Sequence, residues 1–356
     1  MRPRATLLSA AVIAAVALPG HTATGHTATG HTATRGTAAR CVKIDRLALD
    51  SAQAAATVRY WTPSRTKAAA KFSQASLAKE LKSPRPLKGP QPRPELTRLC
   101  APATNSVDHG TTRAPAAPSS HQINGYKTVG KFFFTVAGFP FNCTAVVIGR
   151  AMIVTAAHCF MGNNPVNYTT SNWMFAPMWH NNTFPYGKWY VSSVYIMQPY
   201  INSFNGRYDF AAVNLDRQHG HGVAYYTGQD SWSGDFSLAR GQTTGVRIVG
   251  IPGNSSVALT SVTTAVAVEV SRRWEVLRAS TPGFGDGTSG GPWFHPFDTK
   301  TDTGTVLGVT GGYEQGGDTD SPSYADFFSS YFTDLVAAAN KGIKGCNSTG
   351  DCRYWP

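Results

Sequence analysis

Three short stretches carry side chains whose types could do chemistry together. Residues 154–160 read "VTAAHCF" and place His158 against Cys159, directly after an apolar run. Residues 207–213 read "RYDFAAV" and set Asp209 inside an apolar, strand-like run, where an unpaired charge is expensive. Residues 285–292 read "GDGTSGGP" and hold Ser289 between glycines, where a tight backbone can expose a hydroxyl and aim amide N–H groups at an oxyanion. A serine hydroxyl is a weak nucleophile without an adjacent base. An imidazole with a pKa of about 6.5 can take its proton and return it to a leaving group. A buried carboxylate would hold that imidazole in one tautomer. Nucleophile, base and orienter are all available here.

The competing reading of the His-Cys pair is a metal or redox site. No C-x-x-C occurs and no Cys/His cluster has zinc-ligand spacing, so no metal and no organic cofactor is expected. Chain order then separates the serine-based solutions. "GTSGG" satisfies the G-x-S-x-G elbow of α/β-hydrolases, but those need an acid and then a histidine after the serine. The last histidine is His295, six residues past Ser289, with no acid and base at useful spacing beyond it. A subtilisin-type site needs Asp, His, Ser in that order. "DHGTT" at 108–112 echoes its histidine motif only from within a proline-rich stretch. His158, Asp209 and Ser289 follow the remaining order, His…Asp…Ser.

The elements that must position these residues lie after residue 120. Short β-branched and aromatic runs ("KFFFTVAG", "TAVVIG", "AMIVT", "WYVSSVYIM", "VRIVGI", "TVLGVTGG") alternate with Gly, Pro and Asn clusters. Many short strands with turn punctuation predict an all-β barrel or sandwich. One helix is expected over "DFFSSYFTDLVAAANKG", with Phe327, Phe328, Tyr331, Phe332, Leu335 and Val336 on one face and Gly342 at its stop. About 225 residues suffice for two small barrels packed together.

The first third has another texture. Arg2 and Arg4 precede "LLSAAVIAAVAL", the layout of a secretory signal peptide and too short to span a bilayer. Residues 21–35 repeat "HTATG", "HTATG", "HTATR", low complexity without core-forming residues. Residues 41–82 read as a modestly amphipathic, partly helical segment broken at Pro63. Residues 83–119 carry eight prolines and form an expected linker, open to proteases and unable to pack a core. Residues 1–119 hold 17 Lys+Arg against 5 Asp+Glu, whereas residues 120–356 hold 15 of each. The net charge of +12 therefore belongs to the N-terminal third, and a nucleic-acid partner, which needs a basic face on the folded module, is not expected.

The expected organisation is a signal peptide with repeats over 1–35 and a pro-segment with its linker over 36–119. A first barrel over 120–220 and a second over 221–356 follow. Removal of the N-terminal third is expected through cleavage between about residues 100 and 125. Six cysteines in an exported chain suggest three disulfides. Nearness in sequence favours Cys143 with Cys159 and Cys346 with Cys352, leaving Cys41 with Cys100. His180, His219, His221 and His295 lack a partner motif. The N-x-[ST] matches at Asn142, Asn167, Asn181, Asn254 and Asn347 read as incidental.

"TAAHC", "DFA" and "GTSGGP" resemble the chymotrypsin-like (trypsin-like) serine peptidases over roughly residues 120–340. The closer resemblance is to the compact secreted bacterial branch that includes glutamyl endopeptidase-like enzymes, and "VRYWTPSRTKAA" resembles the pro-segment of actinobacterial members. The resemblance implies two six-stranded antiparallel barrels with a C-terminal helix. It implies Ser289 as nucleophile, His158 as general base and acid, Asp209 as orienter, and the N–H groups of Gly287 and Ser289 as the oxyanion hole. It also implies a disulfide between Cys143 and Cys159, closing the loop that ends at the histidine. Thr288 stands where animal trypsins carry the Asp that receives a new N-terminus, so that activation switch is not expected; Asp286 reads as a rim or turn residue. The substrate pocket would be built from Gly283, Phe284, Thr310, Gly311, Gly312 and Tyr313, with no acid placed to select Arg or Lys. The expected protein is a secreted, monomeric serine endopeptidase acting on polypeptides, with no nucleic-acid or membrane partner. The alternatives are a silent homologue that binds peptides or surface ligands, and a secreted serine esterase.

Overall fold

The apolar runs after residue 120 form strands, and their pairings close two rings. The computed structural model describes residues 44–49, 51–69, 120–136, 138–161, 170–234, 241–271, 274–317, 321–341, 343–346 and 352–354. The signal-like stretch, the HTATG repeats, the proline-rich linker, Cys41 and Cys100 lie outside them.

An N-terminal segment supplies β1 (Ile44–Ala48), α1 (Ser51–Tyr60) and α2 (Pro63–Ala69). The break at Pro63 is where the sequence places it, because proline suits a first helical turn but not a helix interior. β2 (His121–Ile123) follows, then the first ring: β3 (Val129–Val136), β4 (Phe139–Gly149), β5 (Met152–Thr155), β6 (Thr170–Pro177), β7 (Trp189–Met197) and β8 (Ala211–Leu215). Antiparallel pairings run β7-β6-β3-β4-β5-β8 and return from β8 to β7, so the sheet has no free edge.

The second ring comes from β10 (Gln242–Gly250), β11 (Ala258–Ser271), β12 (Trp274–Ala279), β13 (Pro292–Asp298), β14 (Thr303–Thr310) and β15 (Ser323–Phe327). It runs β10-β13-β14-β15-β12-β11 and closes from β11 to β10. The short β9 (Ser231–Trp232) pairs with β14. These are the two six-stranded antiparallel barrels expected of the fold.

Each barrel borrows from elsewhere in the chain. β2, at the start of the stretch expected for the first barrel, pairs with β11 of the second. The C-terminal helix (Ser330–Lys341) packs on β7 and β8 of the first barrel, and Asn214 Nδ2 donates to Ala339 O at 2.8 Å. It begins later than its apolar face suggests. Asp326 and Phe327 belong to β15, where they pair with β14, and Ser329 O accepts from Phe332 N at 2.9 Å in the first turn. Cys346 and Cys352 are register partners across a small terminal hairpin.

The N-terminal segment is part of this packing. β1 pairs antiparallel with residues 193–197 of β7, the part that β6 leaves uncovered. Trp61 is buried, lies 5.4 Å from the Phe133 ring and donates its indole N–H to Asn172 O. This explains the continuous "KFFF". Phe132 and Phe134 pack with Phe160 and Phe141, while Phe133 points to the other face, under Trp61 and Trp179. A strand buried on both faces loses its alternation.

Lys131 shares that covered face and is fully buried. Its ammonium sits 4.3 Å over the Trp179 ring, and among the described residues no carboxylate pairs with it. Burial disfavours the charged form and brings its pKa down to about 7, from an unfolded value of 10.5. Between those values the unfolded chain binds more protons than the folded one, so folding stability contributed by this site rises with pH from about 7 to about 10.5 and is lowest below 7. Lys131→Met should lack that slope. Urea unfolding from pH 6.5 to 10 should show the stability of the wild type, relative to the variant, climbing with pH; parallel curves would contradict the buried charge.

Candidate active site

His158 opens a short helical turn (His158–Met161) that follows β5, and it is almost fully buried. The neighbouring Cys159 is joined to Cys143 on β4, the pairing expected for this loop. A closed loop of this length is worth on the order of 3 kcal/mol. The cross-link fixes the backbone on which the imidazole stands. The thiol beside the histidine is thus an anchor, which disposes of a Cys143-His158-Cys159 metal cluster, because disulfide sulfurs are not thiolate ligands.

Asp209 sits just before β8, at the end of a 3-10 turn over Gly206–Tyr208. Its carboxylate is buried and receives three hydrogen bonds. His158 Nδ1 lies 2.7 Å from Oδ2, His158 N donates to Oδ1 at 2.8 Å, and Gly312 N donates to Oδ2 at 2.8 Å. Nδ1 facing a carboxylate carries the proton, which leaves Nε2 as the acceptor. Nε2 is buried and has no hydrogen-bond partner among the described residues.

Ser289 is half-buried in the 280–291 connection between β12 and β13. Its backbone is locked onto the first barrel. Thr144 N donates to Ser289 O at 2.8 Å, and Thr144 Oγ1 donates to Gly287 O at 2.9 Å. Gly290 is packed so closely that a Cβ there would lie 2.0 Å from Thr155 Oγ1 and 2.8 Å from Ala156 N. Ser289 is therefore adjacent to a residue seated on the segment that leads into His158. No hydrogen bond joins the Ser289 hydroxyl to Nε2.

The carbonyls of this turn all face the protein body. Gly285 O accepts from Thr288 N and Oγ1, Asp286 O from Gly253 N at 2.6 Å, and Thr288 O from Gly291 N at 2.8 Å. By contrast, the N–H groups of Gly287 and Ser289 donate to nothing among the described residues. Gly287 has φ +90°, and a Cβ there would meet Gly253 N at 2.4 Å, so only glycine fits.

The residues named for the substrate pocket lie on the serine connection and at and just past the end of β14. Gly283 is exposed and lines a polar cavity of about 570 Å³ with Gln122, Asn181, Pro252, Asn254 and Leu259. Phe284 is buried in the second core near Trp293, and Thr310 accepts from Trp293 Nε1 at 3.0 Å; neither lines that cavity. Thr310 O receives Gly290 N at 2.7 Å, and Gly311 packs beside Asp209. Gly312 serves Asp209 through its N–H, and the Tyr313 ring lies against Trp274 and Tyr324.

Asp326 belongs to none of the three motifs that mark the site in the sequence. Its carboxyl is buried behind Asp209, where Oδ2 accepts Asp209 N at 3.1 Å and Oδ1 accepts Trp274 Nε1 at 3.4 Å. Burial, and then the neighbouring Asp209 carboxylate, push its pKa well above the usual carboxylate range. The signal was present: "SYADFF", like "RYDFAAV", sets an acid among apolar residues.

Residues 143–309 match the family model of the trypsin-like peptidase domain. No curated protein matches the sequence. Among solved structures, protease Anisep from Arthrobacter nicotinovorans aligns at 24% identity and TM-score 0.53, over 62% of this chain and 99% of that one. A thermostable serine protease, AL20, from an extremophilic microorganism aligns at 20% identity and TM-score 0.51, over 60% of this chain and 97% of that one. A Glu endopeptidase aligns at 17% identity and TM-score 0.46, over 62% and 96%. The family match spans the histidine turn, the aspartate and the serine turn. Beneath it lie the two closed barrels, a fold that the chain shares with the first two of these proteases.

Proposed function

We propose that the protein is a secreted endopeptidase that hydrolyses polypeptides through an acyl-enzyme on Ser289. The observation that carries this reading is the buried His158–Asp209 pair, whose Nε2 lone pair is free, beside a serine turn with two unengaged N–H groups. Ser289 Oγ attacks the scissile carbonyl carbon and its proton passes to His158 Nε2. The carbonyl π pair moves to the oxygen, where the N–H groups of Gly287 and Ser289 receive the charge. One such donor is worth roughly 3–4 kcal/mol of barrier. The oxyanion pair then returns to carbon, the C–N bond breaks, and the amine leaves with the proton from Nε2. Water, giving a proton to the same nitrogen, attacks the acyl carbon; the oxyanion pair returns, the C–Oγ bond breaks, and Oγ takes the proton back from Nε2, releasing the acid and free serine.

Asp209 holds the imidazole and offsets the imidazolium charge. Its own charge is held by three donors, whereas Asp326 has two, one of them long. Burial and the neighbouring Asp209 carboxylate favour the neutral form of Asp326. Asp326 positions Asp209 through the backbone N–H.

The cartography of the first third supports export as a precursor, cut in the linker between about residues 100 and 125. The enzyme acts outside the cell as a monomer, without metal, cofactor, nucleic acid or membrane partner. Because β1, Trp61 and α2 are built into the first barrel, the N-terminal piece remains docked after that cut.

Three outcomes check this reading. Ser289→Ala should lower peptide hydrolysis at least about 10³-fold and abolish fluorophosphonate labelling, with the melting temperature nearly unchanged; labelling that persists at another serine reassigns the nucleophile. Asp326→Asn keeps an acceptor for Asp209 N and should hold kcat/KM within about threefold with an unmoved acid limb, while Asp326→Leu should cost about tenfold or more. An Asn variant whose acid limb moves to lower pH would show that a charge at 326 is used. Amino-terminal sequencing of native, size-fractionated secreted protein should give two starts, one upstream of residue 44 and one between about 100 and 125. A single start in the linker means that the segment is shed, and a single start near 36 means that the linker is not cut.

A further inference from the structure

We propose that Lys131 is a positioning residue for the oxyanion site, acting from the first barrel through two peptide units of the second. The inference rests on the reading of Gly287 N–H as an oxyanion donor.

Pro252 O accepts from two donors, Lys131 Nζ at 3.2 Å and Ser255 N at 3.0 Å, and only the first reaches it from the first barrel; Nζ also lies 3.5 Å from Ser255 O. Pro252 O and Gly253 N belong to one peptide unit. Gly253 N donates to Asp286 O at 2.6 Å, and Asp286 O and Gly287 N belong to the next unit in line. The only cis peptides among the described residues are His295–Pro296 and Ser321–Pro322, so both units are trans. In a trans unit the carbonyl and the N–H point in opposite directions. Nζ pulling on Pro252 O therefore turns Gly253 N–H away from Lys131 and toward Asp286. Gly253 N–H holding Asp286 O in turn sends Gly287 N–H to the far side, where it meets no acceptor among the described residues.

Position and polarity travel along the same line. Hydrogen bonds in series polarise one another, so a donor at the head of the chain strengthens the donor at its end. Contact between the loops leaves little room for another arrangement, since a Cβ on Gly287 would touch Gly253 N. The 252–256 turn is otherwise tied to the first barrel by Asn181 N donating to Ser256 O at 2.6 Å. That bond grips the far end of the turn and does not orient the 252–253 peptide. A lysine in full burial, without a carboxylate, is a costly way to fill space that methionine would fill at lower desolvation cost. Its placement at the head of this line gives it a purpose.

The test uses processed, secreted enzyme, wild type against Lys131→Met and Lys131→Gln, with a cleavable peptide found by library profiling. A peptidyl trifluoromethyl ketone built on that peptide reports the oxyanion site, because its adduct with serine carries an oxyanion. Lys131→Met should lower kcat about tenfold or more with KM within about threefold, and weaken the ketone in proportion to kcat/KM. Lys131→Gln, which keeps a neutral donor, should fall between the two. If Lys131→Met does not fold, Lys131→Gln carries the same comparison. Variants that match the wild type within twofold in kcat and ketone affinity overturn the proposal, as does a rise in KM with kcat unchanged. In those cases Ser289 still labels with fluorophosphonate and the function stands. Should Ser289→Ala instead retain turnover, the function fails and the relay falls with it.

Discussion

The structure turns on one buried charge. Asp209 lies in the seam between the barrels with almost no access to water, and an unpaired carboxylate there would cost several kcal/mol. Its donors come from both sides. His158, through its ring and its backbone N–H, belongs to the first barrel, and Gly312 belongs to the end of β14 in the second. Satisfying the charge therefore requires that the barrels meet in one register, and that register is also what sets the imidazole. Misplacing either barrel would strand the carboxylate, so the interaction that orients the base also enforces the domain arrangement.

The serine side is held by the same economy. Every carbonyl from Gly285 to Ser289 is consumed by Thr144, Gly253 or the turn itself, while the N–H groups of Gly287 and Ser289 have no acceptor among the described residues. Thr144 is central. Its N–H and hydroxyl bind Ser289 O and Gly287 O, its hydroxyl accepts Ile251 N at 2.9 Å, and its neighbour Cys143 is cross-linked beside His158. One strand, β4, thus fixes the histidine turn through a covalent bond and the serine turn through hydrogen bonds.

The N-terminal segment adds a further constraint. Its strand completes β7, its tryptophan covers β3, and Ala69 O accepts Asn142 Nδ2 at 2.8 Å, next to Cys143. A segment expected only to be cut away is integrated into the sheet, and its Ala69 reaches Asn142, whose Oδ1 lies by Gly287 of the serine turn. The outer face of β3 depends on it, because Phe133 is buried beneath Trp61.

By itself the sequence determined the class of fold and marked the residues proposed for the chemistry. His158, Asp209 and Ser289 were legible because each stands in a local context that strains against a bland role: an imidazole after an apolar strand, an acid in an apolar run, a serine among glycines. Short β-branched runs with turn punctuation sufficed for an all-β reading, since strand periodicity is local. The second acid and the buried lysine carried the same local signal, in "YADF" and "GKFFF", yet their roles were not readable there. Asp326 is 117 residues from the N–H it accepts, and Lys131 is 121 from the carbonyl it holds. Only the tertiary structure decided these points, because hydrogen-bond partners across closed barrels are chosen by register and twist, which no local pattern encodes.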